Sequence, residues 1–117
     1  MRILVVDDHA DSARALRLIL RSWKHEARAA HSGEEARRES LEFRPDVILL
    51  DLRLPGVDGV ALAEELRREP GLERVRFIAV TGQSRGEDFR RTAAAGFEGH
   101  LTKPVEMDEL RRILESP

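Results

Sequence analysis

The chain has 117 residues, of which 41% are hydrophobic and 36% charged, a balance typical of one globular domain. Its formal net charge of -2 gives no reason to expect nucleic acid or an anionic membrane as the main partner. The absence of cysteine excludes disulfides, thiol catalysis and cysteine-based zinc sites. No apolar run is long enough to cross a bilayer and the first residues lack a signal-peptide pattern, so we expect a cytoplasmic protein.

Apolar runs of strand length alternate with helix-periodic segments along the whole chain. The helical period is clear at Leu16, Ile19 and Leu20, and Ser32 with Glu35 forms a capping box that opens a second helix. In chain order we predict five strands, each followed by a helix. The strands cover 2–6, 26–30, 46–50, 75–80 and 97–101, and the helices 10–23, 32–43, 59–69, 86–95 and 106–115.

Five strand–helix units of this length predict a doubly wound α/β domain. Right-handed crossovers place helices on both faces of a parallel sheet, and ligands bind beyond the carboxyl ends of its strands. The fourth helix is weakly amphipathic, with an apolar face formed by Phe89, Thr92 and Ala93. Arg37 stands where an apolar residue would suit the core, so we expect the second helix to be loosely packed.

Four of the five predicted strands end in polar residues that can act together chemically. Asp7-Asp8, Asp51, Thr81-Gly82 and Lys103-Pro104 each follow an apolar run, whereas the second strand ends in His31-Ser32 without an acid. Parallel strands bring their carboxyl ends to one edge of the sheet. We therefore expect three carboxylates, one hydroxyl and one ammonium to meet at that edge.

These groups suit a divalent cation and phosphoryl transfer to an aspartate. Neighbouring carboxylates raise one another's pKa unless a cation joins them, and hard oxygen ligands favour Mg²⁺. Asp51, at the end of the most apolar strand, is the best phosphoryl acceptor. Thr81 can donate a hydrogen bond to phosphoryl oxygens, and Lys103 can neutralise their charge. The chain has only one other lysine, Lys24, so a lysine at this strand end is informative.

The motifs Leu4-Val5-Val6-Asp7-Asp8, Leu49-Leu50-Asp51, Pro55-Gly56, Val80-Thr81-Gly82 and Lys103-Pro104 resemble those of receiver domains in two-component signalling. The resemblance covers residues 1–117 and implies a flavodoxin-like, five-stranded sheet in the order 2-1-3-4-5. It also implies transfer of a phosphoryl group from a histidine of a partner protein to Asp51. We expect no output domain within this chain.

The same resemblance implies particular roles at the strand ends. Mg²⁺ would be held by Asp8, Asp51 and the backbone carbonyl of Arg53, and by Asp7 mainly through water. Lys103 and Pro104 would be joined by a cis peptide bond. Phosphorylation would draw Thr81 inward and an aromatic residue of the fifth strand after it. That position is occupied by His100, where the family more often has tyrosine or phenylalanine.

The resemblance also implies the partners. The phosphoryl donor would be a histidine kinase or a histidine phosphotransfer domain, and the segment around His100 is similar to receivers attached to hybrid sensor kinases. A phosphorylation-dependent homodimer is compatible with such a domain, and direct contact with nucleic acid or membrane is not expected. The chain would act as an enzyme only on its own aspartate. The cognate kinase and the signal are not encoded in recognisable motifs.

Other interpretations differ in specific residues. A dehalogenase-type aspartate phosphatase needs a second acid two residues after the nucleophile, where this chain has Arg53. A flavin or nucleotide binder would need a glycine-rich phosphate loop after the first strand, and this chain has no such loop there. A phosphorylation-independent interaction domain on the same fold stays an alternative. We expect Arg53 and Gln83 to tune the phosphoryl lifetime, and we assign His9, His25 and His31 to the surface.

Overall fold

The computed structural model describes residues 1–82 and 86–116, in which strands and helices alternate as predicted. Every boundary lies within two residues of its predicted position. The strands are β1 Arg2–Val6, β2 Glu26–Ala30, β3 Val47–Asp51, β4 Arg76–Thr81 and β5 Gly99–Thr102. The helices are α1 Ala10–Ser22, α2 Gly33–Phe43, α3 Gly59–Arg67, α4 Gly86–Ala94 and α5 Met107–Glu115. Among the described residues, no helix is long and apolar enough to cross a membrane.

The five strands form one parallel sheet in the order β2-β1-β3-β4-β5, which confirms the predicted flavodoxin-like topology. The register aligns the carboxyl ends of the strands. Val6 pairs with Leu50 on β3, Asp51 with Val80 on β4, and Thr81 with Thr102 on β5. The chain segments that follow β1, β3, β4 and β5 therefore start at one edge of the sheet.

Alternating strand residues face two separate core layers. Ile3, Val5 and Leu49 point toward the layer that contains buried residues of α1 and α5. Leu4 and Leu50 point to the other layer, where they meet buried residues of α2 and α3. β3 is buried along its whole length, as a central strand covered on both faces should be. The two layers hold the carboxyl edge of the sheet rigid.

The fifth strand begins two residues later than predicted, because Gly96 and Phe97 form the C-terminal cap of α4. Gly96 has a φ of 81°, and the Phe97 amide donates to the Thr92 carbonyl at 2.9 Å. Phe97 instead packs its ring against Phe77, with 5.5 Å between ring centroids. β5 then starts at Gly99.

Only part of the predicted apolar face of α4 is buried. Thr92 is buried and its hydroxyl donates to the Asp88 carbonyl at 3.0 Å, but Ala93 is exposed and Phe89 is 46% exposed. The Phe89 ring lies beside His100 on β5, with 4.1 Å between ring centroids. Helical spacing predicts which residues of α4 share a face, but it does not show how that face lies against the edge of the sheet.

Arg37 does not leave a weak point in α2. Its guanidinium donates to both carboxylate oxygens of Glu65 on α3, at 2.8 and 2.9 Å. The core face of the same helix is formed by Ala36, Ser40 and Phe43. The expectation that Arg37 stands on the core face is therefore wrong, since this position links two helices at the surface.

Candidate functional site

The carboxyl edge of the sheet brings the predicted polar residues together. Asp7 follows β1, Asp51 ends β3 and Thr81 ends β4, and all three are buried. Lys103 directly follows β5, and its side chain reaches across the edge. The ends of β1, β3 and β4 place their groups accurately because these strands are packed between layers on both faces.

The Lys103 ammonium lies between the two buried carboxylates. Its Nζ donates to Asp7 Oδ2 at 2.8 Å and to Asp51 Oδ2 at 3.0 Å. Burial lowers the pKa of Lys103, but the hydrogen bonds and charges of these carboxylates outweigh it, so the pKa is raised. The Lys103 amide donates to the Thr81 carbonyl at 2.8 Å, and the following bond to Pro104 is cis.

Each buried carboxylate also accepts a backbone amide from two residues further on. The His9 amide donates to Asp7 Oδ1 at 2.9 Å, and the Arg53 amide donates to Asp51 Oδ1 at 2.8 Å. Burial raises the pKa of Asp7, but the bonds from Lys103 and His9 lower it by more, so the net shift is downward. Both carboxylates are thus held in fixed orientations.

Asp8 completes the acidic group in a different way. It is only half-buried, yet its Oδ1 is buried and accepts no hydrogen bond from any residue in the two described ranges. With Asp7 and Asp51 it forms a set of three carboxylates beside one ammonium, which leaves an excess of negative charge. An unsatisfied carboxylate oxygen in such a set fits a cation ligand.

Sequence reasoning placed His9 on the surface and missed its proximity to this acidic group. The His9 side chain is 70% exposed, but its Nδ1 lies 3.3 Å from both Asp7 Oδ1 and Asp8 Oδ1. Potential ligand atoms of Asp7, Asp8, His9 and Asp51 all lie within 4.8 Å of one another. The sequence did contain one sign of this proximity, because His9 directly follows the acidic pair Asp7-Asp8. His25 and His31 lie elsewhere: His25 beside the N-terminal amine and His31 beside Glu35.

The site opens to solvent through a cavity of about 290 Å³, lined by His9, Asp51, Arg53, Gly82 and Lys103. This space is wide enough for a small oxyanion together with a hydrated cation. The lining includes the buried carboxylate of Asp51 and two cationic residues, Arg53 and Lys103. A metal-dependent reaction at Asp51 would therefore be reachable from outside.

The two predicted switch residues occupy neighbouring strands. Thr81 is fully buried at the end of β4, and His100 is half-buried on β5 beneath the ring of Phe89. Burial lowers the pKa of His100, and the nearby carboxylate of Asp88 only partly opposes this. The imidazole is therefore predominantly neutral at pH 7.

Two ion pairs connect the loop after β3 to α4. Arg53 Nη2 donates to Asp88 Oδ2 at 3.0 Å, and Arg91 Nη2 donates to Asp58 Oδ2 at 2.5 Å. Asp58 also caps α3, because its Oδ1 accepts the Val60 amide at 3.1 Å. Gln83, the other residue expected to tune the phosphoryl lifetime, lies outside the described residues.

The model of the response regulator receiver domain family matches residues 3–115. Over 97% of the chain, the sequence is 36% identical to the virulence sensor protein BvgS of Bordetella pertussis, of which it covers 10%. Over 93% of the chain, it is 34% identical to the DNA-binding response regulator MtrA of Mycobacterium tuberculosis, of which it covers 46%. The chain thus spans a tenth of one relative and less than half of the other.

Solved structures show the same architecture. The signal receiver domain of a DNA-binding response regulator from Colwellia psychrerythraea superposes with a TM-score of 0.91 at 25% identity, covering 98% of this chain and 95% of that one. A receiver domain protein from Methanospirillum hungatei gives a TM-score of 0.85 at 29% identity, covering 97% and 90%. The chain belongs to the response regulator receiver domain family.

Proposed function

We propose that residues 1–117 act as one phosphoacceptor module, which receives a phosphoryl group on Asp51 from a histidine kinase or a histidine phosphotransfer domain. The observation that carries this proposal is the Lys103 ammonium held between Asp7 and Asp51, next to an unsatisfied oxygen of Asp8. A carboxylate beside a fixed cation and a metal-binding set is suited to phosphoryl transfer. Family membership supports the same conclusion.

In the proposed reaction, a carboxylate oxygen of Asp51 attacks the phosphorus of a phosphohistidine. The new O–P bond forms as the P–N bond breaks, the bonding electrons go to the imidazole nitrogen of the donor, and that nitrogen takes up a proton from solvent water. The Lys103 ammonium gives up its hydrogen bond to Asp51 and donates instead to an oxygen of the transferred phosphoryl group. The Thr81 hydroxyl donates to another of these oxygens. Bound Mg²⁺, held by Asp8, Asp51, the Arg53 carbonyl and, through water, Asp7, would supply further charge neutralisation.

The proposed output is a shift between two conformations. Movement of Thr81 toward the phosphoryl group would vacate space next to β5, into which the His100 ring can turn away from Phe89. Phosphorylation would then change the surface formed by β5 and α4. This surface, with or without a phosphorylation-dependent homodimer, is where we place control of a downstream partner.

The proposed setting follows from the chemistry. The chain would catalyse only its own phosphorylation and dephosphorylation, without another substrate. The likeness to a virulence sensor protein and to a DNA-binding response regulator supports two settings, relay of phosphate within a kinase system or control of an attached output. A chain without cysteine that exchanges phosphate with a histidine kinase fits a cytoplasmic location.

The test is the intact mass of the protein after exposure to a small-molecule phosphodonor, with and without Mg²⁺. Wild type should gain one phosphoryl group only with Mg²⁺, and Asp51→Asn should gain none. Asp58→Asn is the matched control, because asparagine also caps helices and Asp58 lies outside the acidic group. It should be phosphorylated like wild type. Unmodified wild-type protein would instead favour the phosphorylation-independent interaction domain.

A further inference from the structure

We propose that His9 is an additional ligand of the divalent cation in this site, and that it shifts the metal preference of the site toward transition ions such as Mn²⁺ and Co²⁺. This inference rests on the proposed function, since it concerns the same cation. The receiver resemblance assigned only oxygen ligands to the metal. His9 adds a nitrogen donor, which changes the expected chemistry of the site.

The first support is distance. His9 Nδ1 lies 3.3 Å from Asp8 Oδ1 and 3.3 Å from Asp7 Oδ1. Two donor atoms that each lie about 2.0–2.2 Å from one ion, at the angles of tetrahedral or octahedral coordination, are about 3.0–3.4 Å apart. The observed separation is therefore what two ligands of a single cation require.

The second support is how His9 is held. Its backbone amide is fixed by Asp7 Oδ1 at 2.9 Å, so its position relative to the acidic group is set by the same loop. His9 is also the N-cap residue of α1, but its side chain makes no capping hydrogen bond. Here the ring instead turns to the carboxylates.

The third support is the unsatisfied oxygen. Asp8 Oδ1 accepts no hydrogen bond within the described parts of the chain, although His9 Nδ1 is close. The imidazole therefore does not compensate this oxygen by hydrogen bonding. A cation between the two atoms would satisfy Asp8 Oδ1 and would replace the 3.3 Å hydrogen bond between His9 Nδ1 and Asp7 Oδ1. Imidazole suits Mn²⁺ less strongly than Co²⁺ or Zn²⁺, whereas an all-oxygen set suits Mg²⁺.

A competing role is that His9 only positions Asp7 through its weak side-chain contact. His9→Asn separates the two roles, because the asparagine amide can reproduce a hydrogen bond near the Nδ1 position but is a poor nitrogen ligand for metals. His31→Asn is the matched control. His31 is also an exposed histidine at the carboxyl edge, but it contacts Glu35 and not the acidic group.

The experiment is calorimetric titration of the three proteins with Mg²⁺ and with Co²⁺, and pulsed electron paramagnetic resonance of bound Mn²⁺. In His9→Asn we expect Co²⁺ affinity to fall by roughly tenfold or more, with little change for Mg²⁺. Nitrogen coupling to Mn²⁺ should be present in wild type and His31→Asn and absent in His9→Asn. Equal Co²⁺ affinity in wild type and His9→Asn, or no nitrogen coupling in wild type, would overturn the inference.

Failure of the inference is distinguishable from failure of the proposed function. If His9 is not a ligand, Mg²⁺ still binds all three proteins and Asp51 is still phosphorylated in each. If the proposed function is wrong, Asp51 gains no phosphoryl group with either metal. Phosphorylation of His9→Asn with Mg²⁺ is expected, because the oxygen ligands are unchanged.

Discussion

Lys103 has a role in stability besides the role in phosphoryl transfer that we propose for it. The ammonium bonds to Asp7 and Asp51 raise the pKa of Lys103 and lower that of Asp7. The Asp7 contribution to the free energy of unfolding is present above the ordinary value of 3.8 and lost as pH falls through its lowered folded pKa. The Lys103 contribution is present below 10.5 and lost as pH rises through its raised pKa.

Lys103→Met should therefore destabilise the metal-free protein between these limits. We expect a loss of about 1–3 kcal/mol in the free energy of unfolding near pH 7, since two carboxylates lose a charged donor. The loss should shrink below about pH 4, and Mg²⁺ should reduce it at pH 7 by replacing the missing charge. Urea unfolding in chelator and in Mg²⁺ measures this. Lys24→Met is the control, and an equal loss at pH 3 and pH 7 would contradict the pairing.

His100 gives a second prediction for a single residue. Because burial lowers its pKa, its contribution to stability is present above 6.5 and is lost as pH falls through the lower folded value. His100→Tyr removes this titration, so its unfolding midpoint in urea should depend less on pH between 5 and 7. His25 also has a lowered pKa, so some pH dependence stays in both proteins. An unchanged slope would contradict the assignment.

The same substitution tests the proposed switch. His100→Tyr should accept a phosphoryl group on Asp51 at the wild-type rate, because His100 lies outside the acidic group. Binding of a phosphorylation-dependent partner should change, because the residue that turns inward is different. Loss of phosphorylation in this variant, measured by intact mass, would count against His100 as a switch residue.

At the scale of elements, the link between the loop after β3 and α4 connects the site to a surface. The Arg53–Asp88 and Arg91–Asp58 pairs are partly exposed, so each contributes no more than about 1 kcal/mol to stability. Their position is more informative than their strength. Arg53 also lines the cavity above Asp51, so its side chain has two places to bind.

Asp88→Asn should lengthen the lifetime of the phosphoryl group. The freed Arg53 guanidinium can reach across the cavity to the phosphoryl oxygens and restrict the approach of water. Hydrogen exchange of α4 should also become faster. Phosphoryl decay is measured by intact mass, and the effect should vanish when Asp88→Asn is made in an Arg53→Ala background. Arg91→Ala breaks the other pair and should leave the lifetime nearly unchanged, whereas an equal effect there would contradict the role of Arg53.

For the whole molecule, local signals in the sequence, namely strongly apolar strands with polar ends, predicted the alternating strands and helices and the polar edge, whereas the strand order came from the family resemblance. The errors have three-dimensional causes. β5 starts late because the cap of α4 continues through Phe97, and Phe89 is exposed because α4 covers His100 at the edge of the sheet. His9 was missed because spacing cannot show which way a loop side chain turns.

The charge of the acidic edge gives the final prediction, for the stability of the whole domain. In the metal-free protein, Asp8 is a third carboxylate near Asp7 and Asp51, and repulsion among them opposes folding. Asp8→Asn should therefore raise the free energy of unfolding in chelator by about 1 kcal/mol, or about 4 °C in Tm. The same variant should lose most of the stabilisation by Mg²⁺, which for wild type reaches about 2.7 kcal/mol at a hundredfold excess over Kd.

Thermal unfolding in chelator and in Mg²⁺ measures both effects on the same samples. Asp108→Asn is the control, because it removes an equal charge from the first turn of α5, from a residue that is not part of the acidic group. It should not raise Tm in chelator, since an acid at a helix N-terminus is favourable. A lower Tm for Asp8→Asn in chelator would mean that favourable contacts already hold the Asp8 carboxylate. If Asp8→Asn is more stable than wild type in chelator and is no longer stabilised by Mg²⁺, then the Asp8 carboxylate lowers the stability of the metal-free domain and is needed to bind the cation.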